Sequence, residues 1–205
     1  MSLKQSNEIT LKIKCNIEEF YKILEEKNFK IIDEFFMNDI YFIPENLNIY
    51  EMSTREILSK ALIIRDISGN MSDKITKKIT FKIKNIDENG NILSQEAINC
   101  DILNINDAMK LLEAIGYKKI MNIKENDVVY EKNGFKLAVK DIVDGDKLIE
   151  IETEEDNIEL DTIDKLIKKV DEFNIPVCKD NFFVKKAEVE LNKVLKRWYM
   201  VEFNY

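Results

Sequence analysis

Three stretches of this chain alternate polar with apolar residues so strictly that only a β-strand with two unlike faces accommodates them. Glu8, Thr10, Lys12 and Lys14 interleave with Ile9, Leu11 and Ile13, and Lys78, Thr80, Lys82 and Lys84 interleave with Ile79, Phe81 and Ile83. Further on, Glu150, Glu152 and Glu154 alternate with Ile149, Ile151 and Thr153. Side chains two apart share one face of a strand, whereas a helix would scatter them around its circumference. Taken singly, each stretch is the ordinary signature of a half-buried strand with a solvated face. Taken together, they place charged faces of both signs on separate strands of one protein.

The same period extends over most of the first 154 residues, and it predicts strands at about 5–14, 29–43, 58–67, 75–85, 92–102, 118–131, 135–143 and 147–154. Turn residues punctuate them: Ser68-Gly69-Asn70, Glu88-Asn89-Gly90-Asn91, Lys132-Asn133-Gly134 and Asp144-Gly145-Asp146, with Gly116 as a helix stop. Helices are predicted at about 16–27, capped by Asn16, and at about 105–115, where Asn106 precedes Ala108, Leu111, Leu112 and Ile115. Beyond Asp156 the period changes to helical. Ile163, Leu166, Ile167 and Val170 form one stripe within about 159–173, and Val184, Ala187, Leu191, Val194, Leu195 and Trp198 form another within about 183–199.

No Pro-, Gly- or Ser-rich linker divides the 205 residues, so the expectation is one domain, with a barrel at about 5–154 and C-terminal helices at about 159–200. Eight antiparallel strands would close into a barrel to remove their exposed edges, giving an α+β fold with flanking helices. Charged faces turned inward would then make a lumen holding both carboxylates and cations, with the helices covering the apolar outside.

Composition narrows the chemistry. The chain has no histidine, which removes His-dependent triads, imidazole zinc sites and the usual proton shuttle near neutral pH. Its three cysteines, Cys15, Cys100 and Cys178, are far apart and form no C-x-x-C, against both a disulfide framework and a thiolate zinc site. Carboxylates without His or paired Cys suit hard cations such as Mg²⁺ or Mn²⁺, whose customary partners are phosphate oxygens. The net charge of −8 disfavours wrapping of nucleic acid, so an anionic ligand must be caught locally. All five glycines have structural duties, and neither G-x-x-x-x-G-K-[ST] nor G-x-G-x-x-G occurs, which excludes P-loop and Rossmann nucleotide sites. There is no apolar run of membrane-spanning length and no signal-peptide core, so the expected location is cytoplasmic.

Glu8-Ile9-Thr10-Leu11-Lys12 resembles the E-x-E-x-K signature that opens the CYTH, or triphosphate-tunnel, family. The features that follow stand in family order: Asp39-Ile40-Tyr41-Phe42 with Pro44, Ala61-Leu62-Ile63-Ile64-Arg65, Thr80-Phe81-Lys82, Glu96, Leu111-Leu112 with Ile115-Gly116-Tyr117, Lys124, Asp141 and Glu150-Ile151-Glu152. The resemblance implies an eight-stranded tunnel in which basic residues grip a triphosphate and acidic residues hold Mg²⁺ or Mn²⁺. It makes Lys12, Arg65, Lys82 and Lys124 phosphate ligands. Glu8, Glu96 and Glu150 become candidate catalytic carboxylates, and Asp141, Glu150 and Glu152 become metal ligands. Four positions that are usually charged are neutral here: Thr10, Ile63, Ile98 and Asn126.

Three activities are compatible with this resemblance. The first is metal-dependent hydrolysis of a linear triphosphate, whether inorganic, nucleotide or thiamine. The second is a class IV-like adenylyl cyclase making cyclic AMP and pyrophosphate, and the third is a degenerate tunnel that binds without turnover. The expected partner is a triphosphate-containing small molecule rather than nucleic acid or a membrane, with a homodimer as the candidate assembly.

Overall fold

The computed structural model describes residues 8–69, 75–86, 92–154, 157 and 159–202. Its strands are β1 (Glu8–Lys12), β2 (Lys30–Pro44), β3 (Leu62–Gly69), β4 (Ile75–Ile86), β5 (Ile92–Asp101), β6 (Tyr117–Lys132), β7 (Phe135–Ile142) and β8 (Lys147–Glu152). They form one antiparallel sheet in the order β1-β8-β7-β6-β2-β3-β4-β5. Residues from β1, β4 and β5 line one cavity, so the sheet curls round upon itself. It is not closed by hydrogen bonds. β1 and β5 are its two edges, and no ladder joins them among the described residues, which corrects the expectation of a closed barrel to that of a curled sheet with a seam.

The seam edge of β1 is covered by a strap from the C-terminal part of the chain. Lys14 N–H donates to the Pro176 carbonyl at 2.8 Å, Cys178 N–H to Lys12 at 2.8 Å, Thr10 N–H to Phe182 at 2.9 Å, and Val184 N–H to Thr10 at 3.0 Å. These bonds satisfy edge groups that would otherwise be open to pairing with another chain.

Five helices pack on the sheet: α1 (Ile17–Glu26), α2 (Thr54–Leu58), α3 (Ile105–Ala114), α4 (Ile163–Phe173) and α5 (Lys186–Glu202). Phe20 and Leu24 of α1, with Leu166 and Val170 of α4, bury against Ile9, Leu11, Leu137, Val139, Ile149 and Ile151, the apolar faces of β1, β7 and β8. Ala108 and Leu112 of α3 cover Ile40, Phe42 and Ile64. A third cluster lies on the cavity side, where Ile57 of α2 and Leu191 of α5 meet Tyr41, Ile63, Met121 and Ile123. Each buried Leu or Ile contributes about 1.5–3 kcal/mol, so deleting a fully enclosed ring such as Phe20 should cost about 3–5 kcal/mol.

Local chemistry explains where the elements begin and end. Asn16 caps α1 by accepting from Glu19 N–H at 2.8 Å, as its position in the sequence suggests. The cap of α3 is Asn104, not Asn106. Helix α2 lies just ahead of the strand expected from residue 58, which starts at Leu62 instead. Ser53 and Glu56 form a reciprocal capping box that nucleates this short helix. α4 and α5 begin at Ile163 and Lys186, later than their stripes suggested. Asn133 and Gly134 both adopt positive φ, 52° and 82°, the two-residue turn that matches the twist between β6 and β7. The Glu88–Asn91 turn lies outside the described residues. Cys15, Cys100 and Cys178 are free, and no described helix is long and apolar enough to cross a membrane.

Candidate functional site

The concave side of the sheet encloses a cavity of about 320 Å³. β1 supplies Glu8 and Thr10, β2 Asp39, β3 Ile63 and Arg65, β4 Lys78, Thr80, Lys82 and Lys84, β7 Lys140, and β8 Glu150 and Glu152. α2 adds Arg55, and the strap with the start of α5 adds Lys185, Lys186 and Glu188. The described wall therefore carries eight cationic side chains against five carboxylates, although the whole chain has a net charge of −8. Cations are concentrated where an anion could be held.

Several of these charges are committed to one another. Arg65 donates from Nε to Asp39 Oδ1 at 2.7 Å and from a terminal guanidinium nitrogen to Oδ2 at 2.6 Å, while Asp39 is only 2% exposed. Burial alone would raise Asp39, but its hydrogen bonds to Arg65 hold it below the ordinary carboxylate range. Lys140 lies 2.8 Å from Asp127, 3.4 Å from Glu125 and 3.5 Å from Glu150. Lys186 donates to both Glu125 oxygens at 2.8 Å, and Arg55 donates to Glu188 at 3.1 Å, so the strap and α5 are fixed to the sheet and to α2 by charge.

Lys82 and Lys84 make no ion pair among the described residues. Burial, and then the adjacent Arg65 guanidinium, lowers Lys82 to about 8. Lys84 is lowered as well, chiefly by burial. The Glu8 and Glu150 carboxylates act on both lysines in the opposite sense and favour their charged form.

Opposite them stand three carboxylates. The β1–β8 ladder sets Glu8 across from Glu152 and Thr10 across from Glu150. One oxygen from each of Glu8, Glu150 and Glu152 lies within 4.8 Å of the others. Glu8 is raised by burial and then by the charge of Glu150. Burial pushes Glu150 the same way, but Lys140, Lys186 and Lys82 together hold it well down. A hard divalent cation fits this group, because it offers only oxygen donors and their mutual repulsion is relieved by a positive charge at their centre.

Of the residues singled out in the sequence, Glu8, Arg65, Lys82, Glu150 and Glu152 line the cavity, and Lys12, Glu96, Lys124 and Asp141 do not. Lys12 stands at the end of β1 and turns to Asp146 at 2.7 Å. In β5 the cavity-facing residues are Ala97 and Asn99, which turns Glu96 and Ile98 to the other face. In β6 Glu125 and Asp127 are buried, whereas Lys124 and Asn126 are exposed on the opposite face. In β7 Lys140 faces inward and Asp141 pairs with Lys147. Among the four neutral positions, Thr10 and Ile63 are in the wall while Ile98 and Asn126 are outside it.

The sequence reading passed over Asp39 as a partner of Arg65, and it assigned no role to Glu125, Asp127, Lys140 or Lys186. For Lys140 a signal existed. Phe135, Leu137 and Val139 alternate with Lys136, Ala138 and Lys140, and the apolar set packs under α1 and α4.

No family model and no curated protein matches this chain. Solved structures do. PH1819 from Pyrococcus horikoshii is similar over 93% of this chain and 99% of its own, with 22% identity and a TM-score of 0.65. A candidate adenylate cyclase from Vibrio parahaemolyticus is similar over 95% and 99%, with 13% identity and a TM-score of 0.59. HpAC1 from Hippeastrum, a candidate adenylyl cyclase with a dominant triphosphatase activity, is similar over 93% and 96%, with 12% identity and a TM-score of 0.56. At these identities the likeness is one of fold: the chain shares the architecture of these solved proteins over nearly its whole length.

Proposed function

We propose that the cavity binds a linear triphosphate together with Mg²⁺ or Mn²⁺ and hydrolyses it. One observation carries this reading: Lys82 and Lys84, which make no ion pair among the described residues, line the same cavity as the Glu8, Glu150 and Glu152 cluster. A triphosphate carries roughly four negative charges near neutrality, which the lysines, Arg65 and a divalent cation would compensate.

In this reading Lys82 and Lys84 bind phosphate oxygens as mobile ammonium groups. Arg65, clamped by Asp39, presents its remaining N–H donors in a fixed direction. Glu8, Glu150 and Glu152 would hold the divalent cation, whose chemistry is to neutralise phosphate charge and polarise the phosphoryl group. Lys140 holds Glu150 from behind at 3.5 Å, which keeps that carboxylate ionised. At about 320 Å³ the cavity lies near the small end of ligand sites, so it suits a phosphate chain whose organic part, where there is one, extends from the mouth. The likeness to HpAC1, with its dominant triphosphatase activity, supports hydrolysis over cyclisation.

Binding without turnover is the second reading, favoured by the uncharged Thr10 and Ile63 in the wall. Incubation with tripolyphosphate, ATP or thiamine triphosphate, plus Mg²⁺ or Mn²⁺, separates the outcomes. Orthophosphate release supports hydrolysis, cyclic AMP replaces it with cyclisation, and calorimetric binding without product supports the binder. If neither binding nor cleavage of any triphosphate occurs, the phosphate reading is refuted.

A further inference from the structure

Lys140 sits where three carboxylates converge. Its ammonium lies 2.8 Å from Asp127, 3.4 Å from Glu125 and 3.5 Å from Glu150, and its side chain is only 6% exposed. The Asp127 side chain has no exposure at all, and its Oδ1 has no hydrogen-bond partner among the described residues. This enclosed pocket therefore has more oxygen-ligating capacity than one ammonium uses. A set of buried carboxylates persists only with a resident cation, and here the chain supplies its own.

Glu150 belongs to two groups at once. With Glu125 and Asp127 it surrounds Lys140, and with Glu8 and Glu152 it forms the open carboxylate cluster in the cavity. Two-metal phosphoryl-transfer sites place their cations about 3.5–4 Å apart, close enough to share a ligand. We infer that the Lys140 ammonium occupies the place of a second divalent cation, so that the cavity takes one metal ion and not two. Lys140 is then the residue that determines metal stoichiometry. Lys186, which is bonded to both Glu125 oxygens at 2.8 Å, completes the compensation. This inference rests on the Glu8, Glu150 and Glu152 cluster being the metal centre.

The test counts Mn²⁺ bound to the full chain, with no substrate, from the electron paramagnetic resonance signal of free Mn²⁺. Wild type should bind one ion per chain, Lys140→Arg one, and Lys140→Met two, because Asp127 and Glu150 are then left to a metal while Lys186 still holds Glu125. Lys140→Met should also melt at lower temperature than wild type without Mn²⁺ and recover when Mn²⁺ is added, since a ligand of the native state stabilises it. Lys140→Gln repeats the test with a gentler change, and if neither variant folds the wild-type count decides. Two ions on wild type, or one ion on folded Lys140→Met and Lys140→Gln, overturns the role of Lys140 and leaves the proposed function standing. No ion on wild type removes the substrate-free metal centre on which this inference rests, and the triphosphate assays above then decide the proposed function separately.

Discussion

Replacing Arg65 with Met asks how much of the cavity wall is held by one buried ion pair. Asp39 is 2% exposed and accepts both of its strong bonds from Arg65, at 2.7 Å and 2.6 Å. Removing one partner of a buried pair costs about 3–5 kcal/mol, because the other charge stays desolvated. The Arg65 side chain is 18% exposed, so water reaches part of it and the lower end, about 3 kcal/mol, is expected. In a chain of this size each kcal/mol shifts the melting temperature by roughly 2–4 °C, which gives a fall of roughly 6–12 °C. Asp39 is held below its ordinary value, so the pair's stabilisation is present above about pH 4 and is lost as pH falls through the lowered folded value. In Arg65→Met burial acts without its counterweight and raises Asp39. The variant's deficit should therefore be largest near neutrality and shrink toward pH 4. Thermal denaturation followed by circular dichroism at pH 7 and pH 4.5 reads both effects. Adding Asp39→Leu should recover most of the loss, since an apolar pair of similar volume needs no compensation. A single variant within about 1 kcal/mol of wild type would refute the argument, as would a double variant no more stable than the single one.

Lys82→Ala should weaken tripolyphosphate binding by about 10–100-fold in calorimetry, the value of a charge-assisted hydrogen bond. Because Lys82 titrates at about 8 and an anion favours its charged form, wild-type binding should fall roughly tenfold between pH 7 and pH 9, with Lys82→Arg nearly flat. EDTA should abolish phosphate release, and Glu152→Gln should reduce Mn²⁺ affinity by on the order of tenfold in the same free-ion assay; turnover undiminished in chelator would exclude the metal centre. Ile63→Arg should alter tripolyphosphate affinity because Ile63 is in the wall, whereas Asn126→Arg, on the outer face, should leave it unchanged.

Half of the candidate site was legible in the sequence, and the legible half follows a rule. Glu8, Glu150 and Glu152 sit beside apolar residues, Ile9, Leu11, Ile149 and Ile151, that are all buried, and Lys82 sits between Phe81 and Ile83 on a strand whose outer face also carries Lys77 and Asn85. Once one face is apolar and covered by helices, the other must be the cavity face. β6 breaks the rule because it is polar on both faces. Glu125 and Asp127 point in, while Lys124 and Asn126 point out. Motif resemblance then chose the wrong parity. A register shift between Tyr41 and Phe42, opposite Met121 and Lys119, lets the adjacent Ile120 and Met121 both be buried, so strict alternation fails at this bulge.

β7 shows the other side of the same physics. There Leu137 and Val139 are buried under α1 and α4, and elementary alternation from them leads to Lys140 as the inward residue. The resemblance pointed to Asp141, one position further on. A single-residue shift exchanges the two faces, so a short acidic motif cannot outweigh the pleat when the two disagree. In this fold the usual sense of polarity is inverted, with charge enclosed and apolar residues outside under helices. Polarity alone therefore does not distinguish lumen from solvent. The strap is the part no local pattern could reveal, because Lys186 and Glu125 are 61 positions apart and meet only once the chain has returned along β1. That contact puts a C-terminal charge into the cavity wall, so the site depends on the whole chain from Glu8 to Glu188 rather than on the strands alone.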